Sequence, residues 1–184
     1  MSLPATPGQT VGPFFGYALP YADGPLLVPP GRGDAVRLHG RVLDGAGEPV
    51  PDALLELWQA DADGVIPQQP GSWRRDGFTF TGWGRAATDR EGRYSFSTVT
   101  PGPSAPGAAR WFALTVFARG LLDRLFTRAY LPGDDAQLAG DPLLSSLPAE
   151  RRSTLVAGRD RAGYVFDVRL QGEGETVFLS YPRH

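Results

Sequence analysis

From Val36 onward, apolar and polar residues alternate with a period of two. Val36, Leu38, Gly40 and Val42 share one face, and Arg37, His39 and Arg41 share the other, the pattern of a half-buried strand. The run from Ala53 to Gln59 sets Leu55, Leu57 and Gln59 against Leu54, Glu56 and Trp58. It is apolar on both sides for much of its length and reads as an internal strand. Arg93 to Thr98 alternates again, with Tyr94, Phe96 and Thr98 on one face. Trp111–Phe117, Leu125–Leu131, Tyr164–Leu170 and Thr176–Tyr181 complete the predicted strands. Residues that tolerate positive φ mark turns at Asp44-Gly45-Ala46-Gly47, Asp61-Ala62-Asp63-Gly64 and Asp89-Arg90-Glu91-Gly92. Helix starts are confined to Asp141-Pro142 and Leu147-Pro148-Ala149-Glu150, which predict short helices near 142–146 and 148–154. Short strands at this spacing predict an all-β fold, an antiparallel two-sheet β-sandwich with an extended N-terminal arm and one or two short helices.

The arm is residues 1–34, where neither period holds and proline and glycine are dense. Its aromatics, Phe14, Phe15, Tyr17 and Tyr21, need a surface to lie on, on this chain or on another. The remaining residues, 35–184, form one sandwich domain, a size that suits a chain of 184 residues. Glycine (24) and proline (18) together fill 42 of those positions, in keeping with many short elements joined by turns.

Composition then narrows the chemistry. Cysteine is absent, which removes disulfides, thiolate zinc sites, iron–sulfur clusters and thiol nucleophiles together. All 18 basic residues are arginine, so no lysine exists for a Schiff base or a phosphate loop. The two histidines, His39 and His184, cannot build an H-x-H or H-E-x-x-H motif. A net charge of −2 with scattered arginines gives no nucleic-acid footprint. No apolar run approaches membrane-spanning length, and no basic patch with an apolar run opens the chain. The expectation is a soluble cytoplasmic protein with neither nucleic acid nor membrane as partner.

One ordered series of motifs is more specific. It comprises Leu38-His39-Gly40-Arg41-Val42, then Gly47, Val50, Leu55-Glu56-Leu57-Trp58-Gln59-Ala60 and Gly64, then Thr88 through Phe96 and Thr98 through Pro103. Thr6 through Phe14 at the start and Gln171 through Phe178 near the end extend it over nearly the whole chain. The series resembles the signature of the intradiol ring-cleavage dioxygenases, non-haem ferric enzymes that split catechols between the two hydroxyl-bearing carbons. Catalytic chains of that family hold Fe(III) with two tyrosinates and two histidines, a donor set suited to a hard ferric ion. The resemblance places the first tyrosine after the signature as Gly-x-Tyr, where this chain reads Gly64-Val65-Ile66. The second follows Pro-Gly-Pro, where this chain has Ser104, and the H-x-H pair falls on Trp111-Phe112-Ala113. Ile66, Ser104, Trp111 and Ala113 are therefore degenerate former ligand positions, and no metal ligand and no catalytic residue is expected in this chain alone.

Within the family the resemblance is to the degenerate alpha chains of two-chain members. It implies a hetero-oligomer in which a homologous beta chain carries the Fe(III), with a carboxylated catechol, 3,4-dihydroxybenzoate, and O2 as substrates. It further implies that Thr10, Gly12, Pro13 and Phe14 of the arm, together with Arg119, help form the substrate pocket shared with that partner. A guanidinium suits a substrate carboxylate; a strand-end cap or a surface pair with Asp123 is the other reading of Arg119. Trp58, Trp83, Tyr94 and Phe96 read as core or interface packing. The opposing functional reading is a β-sandwich scaffold or binding module that kept the fold and lost the chemistry. An iron site built from Tyr17 or Tyr130 with His39 has no reason to converge.

Overall fold

A computed structural model describes residues 15–68, 75–133 and 135–181. The chain enters through one helical turn, α1 (Phe15–Ala18), and then lays residues 19–28 on the domain before the first strand begins. The strands are β1 (Ala35–Leu43), β2 (Leu54–Trp58), β3 (Trp83–Ala87), β4 (Arg93–Val99), β5 (Trp111–Phe117) and β6 (Leu125–Tyr130). Three short helices follow, α2 (Asp135–Gly140), α3 (Pro142–Ser145) and α4 (Ala149–Ser153), and then β7 (Gly158–Arg159), β8 (Gly163–Val165) and β9 (Val168–Arg169). These form two packed sheets, as the alternation predicts.

One sheet runs β3-β2-β5-β6 and is antiparallel throughout. The other runs β4-β1-β8-β7, with β9 pairing the far part of β1. Here β1–β4 and β7–β8 are antiparallel, whereas β8 and β9 run parallel to β1. The predicted strand Tyr164–Leu170 is thus two short ones. Between them Asp167 turns its carboxylate to the Arg41 amide, 2.8 Å away, so a side-chain oxygen takes the place of a ladder partner. Thr176–Tyr181 does not form a strand either. It runs along the edge of β6 with a single bridge, Leu179 to Phe126, and the Val177 carbonyl accepts from the Thr127 hydroxyl.

The helices near 142–146 and 148–154 appear as α3 and α4, while α1 and α2 are additional to the one or two expected. Asp141 caps α3, its Oδ1 accepting from the amides of Leu143 and Leu144 at 2.9 and 3.0 Å. The main core lies between the sheets, with Leu38, Leu55, Leu57, Phe96, Phe112, Leu114 and Val116 fully or almost fully buried. A satellite cluster of Ala109, Tyr130, Leu144, Leu155 and Val177 sits under the helices.

Trp83 and β3 explain how the end of the arm segment is held. Tyr21 stacks on Trp83 with ring centroids 6.0 Å apart and planes 4° from parallel. Arg75 donates to the carbonyls of Gly24 and Trp83, and Arg85, buried against Glu56, donates to the Leu19 carbonyl. Tyr21 thus finds its surface on this chain.

Candidate functional site

Ile66, Ser104, Trp111 and Ala113, the four positions singled out by the resemblance, are presented by three segments whose geometry is dictated locally. In the turn after β2, the Asp61 Oδ1 accepts from the amides of Asp63 and Val65 at 3.0 and 2.9 Å, and the Asp61 amide donates to the Val65 carbonyl. The loop after β4 then docks on this turn, the Gly102 amide donating to the Asp61 carbonyl at 2.7 Å. Only glycine permits that approach. Gly64 has φ +86, and a Cβ there would lie 2.1 Å from the Pro103 carbonyl oxygen; one on Gly102 would lie 2.4 Å from that of Ala62. Two loops pressed backbone to backbone bring Ile66 and Ser104 together, and Trp111 opens β5 beside them.

Ile66, Ser104 and Trp111 line one cavity of about 20 Å³, together with Trp58, Gln59 and Gly102. That is space for little more than one water molecule. Its floor is rigid. Buried Gln59 donates to the carbonyls of Val99 at 3.0 Å and Ala60 at 2.9 Å and accepts from the Thr98 hydroxyl, joining the two sheets. Ala113 lies two residues beyond Trp111 on the same outward face of β5, in register with Trp58 and Arg128.

A ferric ion does not fit this set. Isoleucine and alanine have no lone pair, the tryptophan indole nitrogen is only a donor, and a serine hydroxyl is a poor substitute for a tyrosinate. A fixed cation also stands nearby: the Arg128 guanidinium lies over the Trp111 ring, 4.1 Å from its centroid. Arg128 donates to the Tyr130 hydroxyl at 3.1 Å, which donates to Asp141 at 3.0 Å, so the stack is tied to the cap of α3. Burial, before all else, pushes the Tyr130 phenol up to about 12, so it stays protonated as a donor. Among the described residues no group of three or more His, Cys, Asp or Glu is placed to hold a metal. His39 lies in the other sheet from Tyr130, with its Nε2 3.3 Å from Asp160, so these two do not converge; the Tyr17 side chain is outside the described residues.

Arg119 occupies the opposite end of β5. Six strand steps separate Trp111 from Phe117, roughly 20 Å, and Arg119 follows two residues later. Its guanidinium pairs with Asp52, Nε to Oδ2 at 3.1 Å, rather than with Asp123. Two surface grooves flank it. One, of about 370 Å³, includes Asp52, Gly120 and Gln171; the other, of about 280 Å³, includes Asp52, Thr88 and Gly16 of α1. Arg119 therefore shares a groove with Gly16, a residue of the arm. Thr10, Gly12, Pro13 and Phe14 lie outside the described residues, as does His184. Trp83, Tyr94 and Phe96 are buried, and Trp58 is 42% exposed.

Two residues of these sites were not singled out by sequence reasoning. Arg128 carries a signal, being a charge inside the predicted strand Leu125–Leu131. Asp52 carries none, because its partner is far away in the chain.

A family model described as Dioxygenase matches residues 11–172. The protocatechuate 3,4-dioxygenase alpha chain of Burkholderia cepacia is 41% identical, over 97% of this chain and 98% of the relative. The protocatechuate 3,4-dioxygenase beta chain of the same organism is 35% identical, over 78% of this chain and 67% of the relative. Among solved structures, this chain is similar to the dioxygenase domain of a dioxygenase–carbohydrate-binding fusion from Streptomyces sp. SirexAA-E. The two share 25% identity and a TM-score of 0.56, over 91% of this chain and 98% of that one.

Proposed function

Because this chain belongs to the intradiol ring-cleavage dioxygenase family, we propose that it is the metal-free alpha subunit of a protocatechuate 3,4-dioxygenase. In this reading it pairs with a homologous beta chain whose Fe(III) makes the bound catecholate reactive toward O2. The assembly converts 3,4-dihydroxybenzoate and O2 to 3-carboxy-cis,cis-muconate, both oxygen atoms entering the product. This chain's part is to close and shape the pocket, exclude water and place the substrate carboxylate. Arg119 supplies a cation for that carboxylate, and Thr10, Gly12, Pro13 and Phe14 supply the wall that approaches it. The shared groove of Arg119 and Gly16 supports a common location for the two, since Gly16 lies only two residues from Phe14.

The observations that carry the reading are the pocket of Ile66, Ser104 and Trp111, which offers no donor set suited to iron, and the match to an alpha chain over 97% of this chain. The test is to purify this chain alone and co-expressed with a beta chain that carries both tyrosines and the H-x-H pair. Iron content, visible absorption and 3,4-dihydroxybenzoate turnover are then measured on each. The lone chain is expected to be colourless and inactive, and the complex to be coloured and active. Iron-dependent colour and ring cleavage by the lone chain would overturn the reading, and a beta chain that never associates would favour a scaffold.

A further inference from the structure

We infer that Asp52 is a specificity-tuning residue that competes with the substrate carboxylate for Arg119. The inference rests on the proposed role of Arg119 and adds a residue to it. The two partners are held very differently. Asp52 sits on a turn pinned by Thr88, whose hydroxyl donates to the Val50 carbonyl at 2.8 Å and accepts from the buried Ala53 amide at 2.9 Å. Its side chain is 32% exposed, against 65% for that of Arg119. The aspartate is thus the fixed member and the long arginine the movable one.

Asp52 also lines both grooves that flank Arg119. An anion reaching the guanidinium along either groove therefore passes beside the aspartate. With Asp52 in place the pair itself is neutral, and Asp44 adds a second carboxylate to the larger groove. An incoming carboxylate must displace one negative charge from the guanidinium to take its position. An ion pair this exposed is weak and exchangeable. Asp52 accordingly parks the arginine at the rim of the grooves and lowers its affinity for a carboxylate, leaving the chemistry of the diol untouched.

The test uses the assembled alpha–beta complex, with KM for 3,4-dihydroxybenzoate compared with the inhibition constant of catechol, the same diol without the carboxylate. Asp52→Asn keeps the shape and removes the charge. It is expected to lower KM for 3,4-dihydroxybenzoate about two- to five-fold, with kcat within about two-fold and the catechol constant unmoved. A gain in affinity cannot come from misfolding, and Asp52→Ser, with its smaller neutral side chain, is expected to act in the same direction. In an Arg119→Gln background, Asp52→Asn is expected to have no effect, because the competition has lost its object. If Arg119→Gln raises KM while Asp52→Asn leaves it unchanged or raised, the inference about Asp52 fails and the role of Arg119 stands. If Asp52→Asn lowers KM equally without Arg119, the effect is a general field and the inference also fails. If Arg119→Gln changes neither constant, the role of Arg119 and the inference fall together.

Discussion

The two ends of β5 are built in opposite senses. At the Trp111 end, the positions that the family resemblance singles out carry side chains that pack. Trp111 lies beneath Arg128, Ile66 beside Trp58, and two loops meet through Gly64 and Gly102 with space for about one water. At the Arg119 end, a charged side chain stays exposed between two open grooves, paired with one aspartate. The first end is packed into the fold, and the second presents an exposed ion pair. The lesson is that a site without metal donors need not be loose, because the same residues join loops to sheets.

The contrast can be broken most severely at Gly64. Gly64→Ala places a Cβ against a backbone carbonyl at positive φ and is expected to cost about 3 kcal/mol, read as a fall in the urea midpoint at unchanged slope. A cost below about 1 kcal/mol would mean that the loop pair yields and that the framework is not rigid.

Tyr130→Phe comes next. It removes the hydroxyl between Arg128 and Asp141 and is expected to cost about 1–2 kcal/mol. The same hydroxyl gives a signed pH dependence. A phenol raised from about 10 to about 12 by burial is bound to its proton more tightly in the folded state. Its contribution is therefore complete below pH 10 and is lost as pH rises from about 10 to about 12. Urea midpoints at pH 9 and pH 11 should differ more in the parent than in Tyr130→Phe. Tyr94, whose phenol burial also raises, keeps a residual slope in both.

Trp111→His tests the stack itself. Losing the ring under Arg128 is expected to cost about 1 kcal/mol in thermal unfolding, and one imidazole without partner donors should retain no iron after dialysis. The smallest stability effect belongs to the other end. Arg119→Gln is expected to change unfolding free energy by less than about 0.5 kcal/mol, yet to raise KM for 3,4-dihydroxybenzoate in the complex about ten-fold. Equal stability losses at Gly64 and Arg119 would erase the distinction between the two ends.

How far each feature was legible follows from where its causes lie. The strands from Val36, Ala53, Arg93 and Trp111 were readable because alternation and turn residues are local signals. β3 was not. Its sequence, Trp83-Gly84-Arg85-Ala86-Ala87, lacks a clean period, since Arg85 is stabilised by Glu56 and the Leu19 carbonyl and Gly84 makes room for Leu27. Thr176–Tyr181 misled for the reverse reason: alternation records which face is buried, and the segment buries Val177 without building a ladder. For the site, the resemblance singled out positions 66, 104, 111 and 113, whose residue types offer no tyrosinate or imidazole. They did not tell that three of the four would share one cavity with a guanidinium close by.

The amino-acid sequence by itself determined the all-β class, the main turns, the absence of thiol and lysine chemistry, and the family. Each of these is written in residue identity or in spacing along a single segment. Tertiary structure alone decided that β8 and β9 run parallel to β1, that Arg128 lies over Trp111, and that Asp52 rather than Asp123 meets Arg119. Those are pairings between segments far apart in the chain, selected by the shape left over when two sheets close on one core. No local pattern encodes that remainder.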